Sequence, residues 1–247
     1  MENKIIEEQI FINGDVEQVK KLLNEGWVIP MSYIKRDSSP LIAAINFGNC
    51  NVDMVDFLLG QNVDINCIDG FGYNALLYAT LGSNVDIIEK LLDKGARLPE
   101  KSREEIFYTL IRDQKIDIID RLVAHGQFNC NSIWDEKTLL MHAVEKGDLN
   151  MVQYLVDLGA DINNNIECDY KSSPLALAIE NDHEDIVEYL LSIEGIDINI
   201  PFGTRYIYCF ATKEIEKDYI CLSIVEYVKL GHYGSRITNL FSKLKSK

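Results

Sequence analysis

The sequence predicts an all-α solenoid of about six to seven helix-turn-helix repeats with capping helices, and three observations predict it. The first is a period. Segments of one pattern begin at Val16, Val52, Val85, Ile116, Leu149 and Glu184, at intervals of 36, 33, 31, 33 and 35 residues. The second is the spacing of apolar residues inside each copy, at i, i+2, i+3, i+6 and i+7, as in Leu149, Met151, Val152, Leu155 and Val156. That spacing marks a helix with a broad buried face. The third is a stop signal: Gly26, Gly95, Gly126, Gly159 and Gly195 follow the last apolar pair, where a left-handed residue closes a helix. In the second copy Asn62 is expected to take that place.

A shorter helix precedes these segments, beginning 11 residues ahead of the segment start, or 13 in the second copy. The clearest examples are Ser39-Pro40-Leu41-Ile42-Ala43-Ala44, Asn74-Ala75-Leu76-Leu77-Tyr78-Ala79, Thr138-Leu139-Leu140-Met141-His142-Ala143 and Ser173-Pro174-Leu175-Ala176-Leu177-Ala178. Ser, Thr or Asn caps the first free N–H groups, and proline at the next position forfeits no hydrogen bond. The copy at 103–126 has no such cap-proline signal. Beyond Asn199 the pattern weakens, yet Ser223 to Gly231 parallels Asp185 to Leu191. The expected organisation is therefore a repeat array over 1–231, with 1–30 as its N-terminal cap and a degenerate last unit at about 200–231. A capping helix follows over 232–247, where Ile237, Leu240, Phe241 and Leu244 have helical spacing.

These residues resemble the ankyrin-repeat family, whose T-P-L-H-x-A motif is followed by an I-V-x-x-L-L-x-x-G-A-D-I-N tail. The resemblance covers roughly 1–231, is best at 69–99 and 133–163, and includes the family's D-x-x-G-x turn at Asp69-Gly70-Phe71-Gly72-Tyr73. The motif histidine is replaced by Ile42, Leu77, Met141 and Ala176, so the bonds it makes to neighbouring turns are lost or replaced. The resemblance implies a surface of turn tips and first helices that grips another protein.

Composition narrows the function. With 47% hydrophobic residues the chain buries a core, and a net charge of -15 repels nucleic-acid phosphates and anionic membranes while suiting a basic or neutral protein. The six cysteines contain no C-x-x-C pair and the four histidines do not cluster with them, so reduced thiols and no metal or cofactor are expected. Glycine-rich phosphate loops are absent, and His142 reads as a satisfied core histidine. No stretch has the apolar length of a signal peptide or membrane span, which predicts a cytoplasmic monomer unless it is delivered into a host cell as an effector.

No catalytic residue is expected. The partner-binding candidates are Lys35, Arg36, Phe71, Tyr73, Trp134, Lys137, Tyr170 and Lys171 on turn tips, with Leu81 and Glu145 on first helices. Aromatic residues that packing does not require are enriched among interface anchors. Of these, Tyr73 and Tyr170 are expected at the surface, while Phe71 and Trp134 have the alternative of folding back on adjacent turns. Two settings fit: an adaptor or effector-like scaffold, and an immunity or antitoxin-type inhibitor whose acidic surface occludes a basic toxin such as a nuclease. A third, an enzyme site in the 200–247 tail, has no motif behind it.

Overall fold

A computed structural model describes residues 6–30, 38–46, 50–164, 166–167, 171–198, 201–203, 207–208, 215–216, 221–223 and 237. At 46, 166–167, 171–172, 201–203, 207–208, 215–216 and 221–223 it describes the backbone alone. The chain divides into two compact units, Met1–Asn129 and Cys130–Lys247.

Unit 1 holds helix pairs α1 (Glu8–Asn13) and α2 (Val16–Asn24), α3 (Pro40–Asn46) and α4 (Val52–Leu59), α5 (Ala75–Leu81) and α6 (Val85–Asp93), and α7 (Arg103–Arg112) and α8 (Ile116–Ala124). First helices stack on first helices, α1 on α3 and α3 on α5; second helices stack as α2, α4, α6 and α8 in turn. Unit 2 repeats the arrangement with α9 (Leu139–Lys146), α10 (Leu149–Asp157), α11 (Pro174–Glu180) and α12 (Glu184–Ser192), where α9 stacks on α11 and α10 on α12. No pair is large enough to bury its own apolar face, so stacking forms the core. Leu76, Leu77, Ile87, Ile88 and Leu91 in one repeat, and Leu139, Leu140, Met151, Val152 and Leu155 in another, are almost wholly buried.

The helix boundaries follow from the side chains expected to set them. Asn74, Thr138 and Ser173 accept from the N–H of Leu77, Met141 and Ala176, and Ser39 from that of Ile42. Gly26, Gly95, Gly126, Gly159 and Gly195 all have positive φ. The pair at 103–126 forms without a side-chain cap on either helix, its first helix entered through a 3-10 turn at Glu100–Ser102 after Pro99. Asn62 departs from expectation: its φ is not positive, because α4 already ends at Gly60 in a right-handed conformation with φ -84°.

Within the units, asparagines join a repeat to the next at three places. Arg97 N–H donates to Asn66 Oδ1 at 2.8 Å, Asp161 N–H to Asn131 Oδ1 at 2.8 Å, and Asp197 N–H to Asn163 Oδ1 at 2.8 Å. Asn74 does more, since its Oδ1 caps α5 while its Nδ2 donates to the Arg97 carbonyl at 2.7 Å. Replacing this 2%-exposed residue with alanine removes a cap and strands a carbonyl, and is expected to lower stability by about 1–2 kcal/mol. Urea unfolding followed by circular dichroism measures it.

Between 201 and 223 the described residues are extended. Strand β5 (Pro201–Gly203) pairs antiparallel with β8 (Cys221–Ser223), and β6 (Ile207–Tyr208) with β7 (Ile215–Glu216), numbering after β1 to β4 of unit 2, given below. The helix expected over 223–231 and the cap over 232–247 lie outside the described residues, except Ser223, which ends β8, and Ile237, which is helical and fully buried.

Candidate protein-binding surface

In unit 1 the turn at 69–73 is built around one carboxylate. Asp69 Oδ1 accepts from the N–H groups of Phe71 at 2.9 Å and Tyr73 at 3.0 Å. The Asp69 N–H donates to the Tyr73 carbonyl at 2.8 Å, and Gly72 supplies the left-handed residue, φ 82°, that the turn needs. Asp69 Oδ2 accepts from the Tyr78 hydroxyl at 2.6 Å, and burial with that bond and the adjacent carboxylate pushes the Tyr78 phenol well above its ordinary range. A turn so fixed aims its tip residue reproducibly, and that residue is Phe71, 83% exposed.

Tyr73 behaves in the opposite way. It is half-buried, with its ring edge-to-face against Tyr78 at 5.6 Å between centroids. Phe71 thus stays in water, as its reading as an anchor expects, while Tyr73, expected at the surface, is half-buried against Tyr78. Leu81, half-exposed at the end of α5, joins Tyr73, Leu77, Ile106 and Thr109 around a shallow dimple rimmed by Glu105.

In unit 2 the corresponding hairpin is strand β1 (Ile133–Trp134) paired with β2 (Lys137–Thr138). Its two turn residues, Asp135 at φ 48° and Glu136 at φ 62°, are both left-handed without being glycine. Such positions carry a steric cost of about 1–2 kcal/mol each outside glycine, somewhat less for Asp. Two carboxylates are thus held at a tip where Asn-Gly would fold more easily. Trp134 is half-buried and Ile133 half-exposed. His142 ties the hairpin down, its Nε2 lying 2.8 Å from the Trp134 carbonyl oxygen.

Tyr78 and His142 answer a question left by the motif. Both occupy the position after the missing motif histidine, and both bond back to the preceding turn. The anchoring bond survives with its donor moved one place along the helix.

Lys137 and Glu145 are partners of each other, since Lys137 Nζ donates to both Glu145 oxygens at 2.8 and 2.9 Å. Their charges largely cancel, and a surface pair of this kind adds about 0–1 kcal/mol. Partial burial and the Glu145 carboxylate raise the Glu180 carboxyl above its ordinary value, with Lys137 acting the other way. A second hairpin, β3 (Ile166–Glu167) with β4 (Lys171–Ser172), places the Lys171 backbone at the start of its returning strand. Lys35, Arg36 and Tyr170 lie outside the described residues, as does the side chain of Lys171.

Burial pushes the thiols of Cys50, Cys67 and Cys130 up, opposite to what a nucleophilic cysteine requires. Among the described residues no helix is long and apolar enough to cross a membrane.

Comparison with known proteins agrees with this geometry. An ankyrin repeat protein of Fowlpox virus is 22% identical over 222 residues, 78% of this chain and 37% of its own length. One from Acanthamoeba polyphaga mimivirus is 30% identical over 145 residues, 58% of this chain and 21% of its own length. The chain thus spans well under half the length of either relative. Among solved structures, the ankyrin repeat domain of Bcl-3 superposes with a TM-score of 0.61 at 21% identity, covering 79% of this chain and 88% of that one. A chain from the complex of the Bdellovibrio bacteriovorus predatory endopeptidase Bd0816 with immunity protein Bd3460 gives 0.55 at 20% identity, covering 76% and 97%. Such identities show a shared fold, which is generally a non-enzymatic interaction scaffold. A family model described as ankyrin repeats (3 copies) matches residues 9–102 and 106–201. With stacked helix pairs, left-handed glycine stops and the Asp69 turn all in that register, the chain belongs to the ankyrin-repeat family.

Proposed function

We propose that the chain is a non-enzymatic module that binds a protein partner through its turn tips and first helices, acting as an adaptor or effector-like scaffold. The observation that carries this reading is Phe71, a large aromatic 83% exposed on a turn whose backbone is fixed from within by Asp69. A rigid, exposed ring loses little conformational freedom on docking and gains a full apolar contact. Leu81 extends the patch in unit 1; Trp134, with the Lys137–Glu145 pair beside it, offers the corresponding patch in unit 2. By repeat register Lys35, Arg36, Tyr170 and Lys171 belong to the same set of tips. The partner reading includes a monomer in the cytoplasm, an array over 1–231 and a cap over 232–247.

The acidic excess favours a second reading, an immunity-type inhibitor that covers a basic protein such as a nuclease toxin. The net charge of -15 would speed and strengthen such an encounter at low salt. Its acidic hairpin tip at Asp135 and Glu136 supports that reading locally.

Capture from native lysate at two salt concentrations, with mass spectrometry, separates the two. A salt-sensitive 1:1 complex with one small basic protein supports inhibition, and several salt-tolerant partners support the scaffold. With the partner in hand, Phe71→Ala is expected to weaken binding by about 2 kcal/mol, roughly 30-fold, with the helical dichroism unchanged. Undiminished binding by both Phe71→Ala and Trp134→Ala refutes the assignment of the surface.

A further inference from the structure

On the second helices of unit 1, away from the turn tips, three donor atoms converge. Glu89 and Asp93 lie on α6 at i and i+4, on one face of the helix, and His125 follows the end of α8. One ligand-capable atom from each comes within 4.8 Å of the other two. His125 Nε2 is 3.5 Å from Glu89 Oε1 and 3.8 Å from Asp93 Oδ1.

These separations are too long for good hydrogen bonds, which cluster near 2.7–3.2 Å, on the order of half an ångström shorter. They match a different arrangement. Nitrogen and oxygen donors about 2.0–2.1 Å from a tetrahedral ion stand about 3.4 Å from one another. The second oxygen of Glu89 is meanwhile held by Arg121, whose Nε lies 3.0 Å from Oε2 and whose Nη1 donates to the Asp117 carbonyl at 2.8 Å. That ion pair engages Oε2, while Oε1 is the oxygen nearest the imidazole; charged groups beside metal ligands support them in this way. The group sets two carboxylates against one guanidinium, so a divalent cation would offset negative charge.

We propose that Glu89, Asp93 and His125 form a binding site for a divalent metal ion of the zinc class. The imidazole donor selects zinc and its transition-metal neighbours over magnesium or calcium, which prefer all-oxygen shells. Water completes the coordination, since the Asp93 side chain is 66% exposed. The ion clamps α6 to the end of α8 and stiffens the third and fourth repeats against one another. Sequence spacing gives no sign of this, because clustering of histidines and cysteines leaves distant carboxylates out. Here the histidine's companions are carboxylates 32 and 36 residues away, brought close only by stacking.

The probe is zinc chloride alone, titrated calorimetrically into full-length protein first stripped with a chelator. Loss of a supporting residue around a metal ligand changes affinity by about 10–100-fold. Loss of a ligand should therefore weaken zinc binding at least about tenfold in both His125→Ala and Asp93→Asn. Zinc should also raise the unfolding midpoint of the wild type and not of either variant, while magnesium leaves it unmoved. Asp93 is exposed enough for its variant to fold, which circular dichroism checks. Absence of zinc binding by the wild type, or unchanged affinity in either variant, overturns the proposal. Retained binding in the variants would place the zinc on other groups, such as the cysteines.

Discussion

Phe107→Ala is expected to lower the stability of unit 1 by about 3–5 kcal/mol, the range for deleting a fully buried ring. Phe107 is completely buried on α7, between Ile106 and Leu110, and α7 packs on α8. Its ring meets Phe128 at 4.7 Å between centroids with planes tilted 54°. Alanine would remove the transfer free energy of the ring, leave a cavity, and forfeit an aromatic contact of about 0.5–1.5 kcal/mol. Phe128 cannot swing in to fill the gap without drawing along the chain at Gln127, whose side chain accepts from the Leu98 N–H at 3.3 Å. Tyr108, the next residue, is half-buried, so Tyr108→Ala should cost much less. Urea midpoints of the two variants check both. Equal losses would mean that the helix at 103–112 is turned about its axis from the orientation described.

That test matters because the 103–126 copy is the one whose boundaries the sequence marks least. It has the apolar period and the terminal glycine but no side-chain cap bond at either helix, and it folds into a regular pair nonetheless. Period and burial suffice where α8 packs on both α7 and α6. Caps in the other copies sharpen ends that packing already sets.

What could be read from the sequence was local and repeated. Helix starts at Asn74, Thr138 and Ser173 and left-handed glycines from Gly26 to Gly195 each depend on a residue acting within a turn of itself. What could not be read depends on distance across the fold. That Tyr78 and His142 take over the anchoring bond of the missing motif histidine required knowing that a longer side chain one position on still reaches the turn. The Lys137–Glu145 pair joins two opposite charges eight residues apart. That Tyr73 would be half-buried turned on Tyr78, five residues beyond it. Asn62 departs from the left-handed expectation for a local reason instead: Gly60 comes early and ends α4 in a right-handed conformation.

Leu155→Ala tests the phase of the repeat in unit 2, with an expected loss of about 2–5 kcal/mol. Leu155 is wholly buried on α10, in line with Met151 and Val152, whereas Val156 next to it is only half-buried. Truncating Leu155 opens a void among α9, α10 and α12, since α10 packs on both of the others. The size of the loss depends on how far those helices can close in, at about 24 cal/mol per Å³ of cavity that remains. Closure is opposed by the Asn131 side chain holding the Asp161 N–H and by Asn163 holding the Gly195 carbonyl and Asp197 N–H, which fix the loops at the ends of α10 and α12. The expected loss therefore lies above that of Val156→Ala, whose neighbours include solvent. In a repeat stack each element is stabilised by its nearest neighbours. Amide exchange should accordingly quicken in α12 as well as in α10 when Leu155 is truncated. An unchanged melting temperature, or a larger loss at Val156, would mean that another face of α10 is turned to the core.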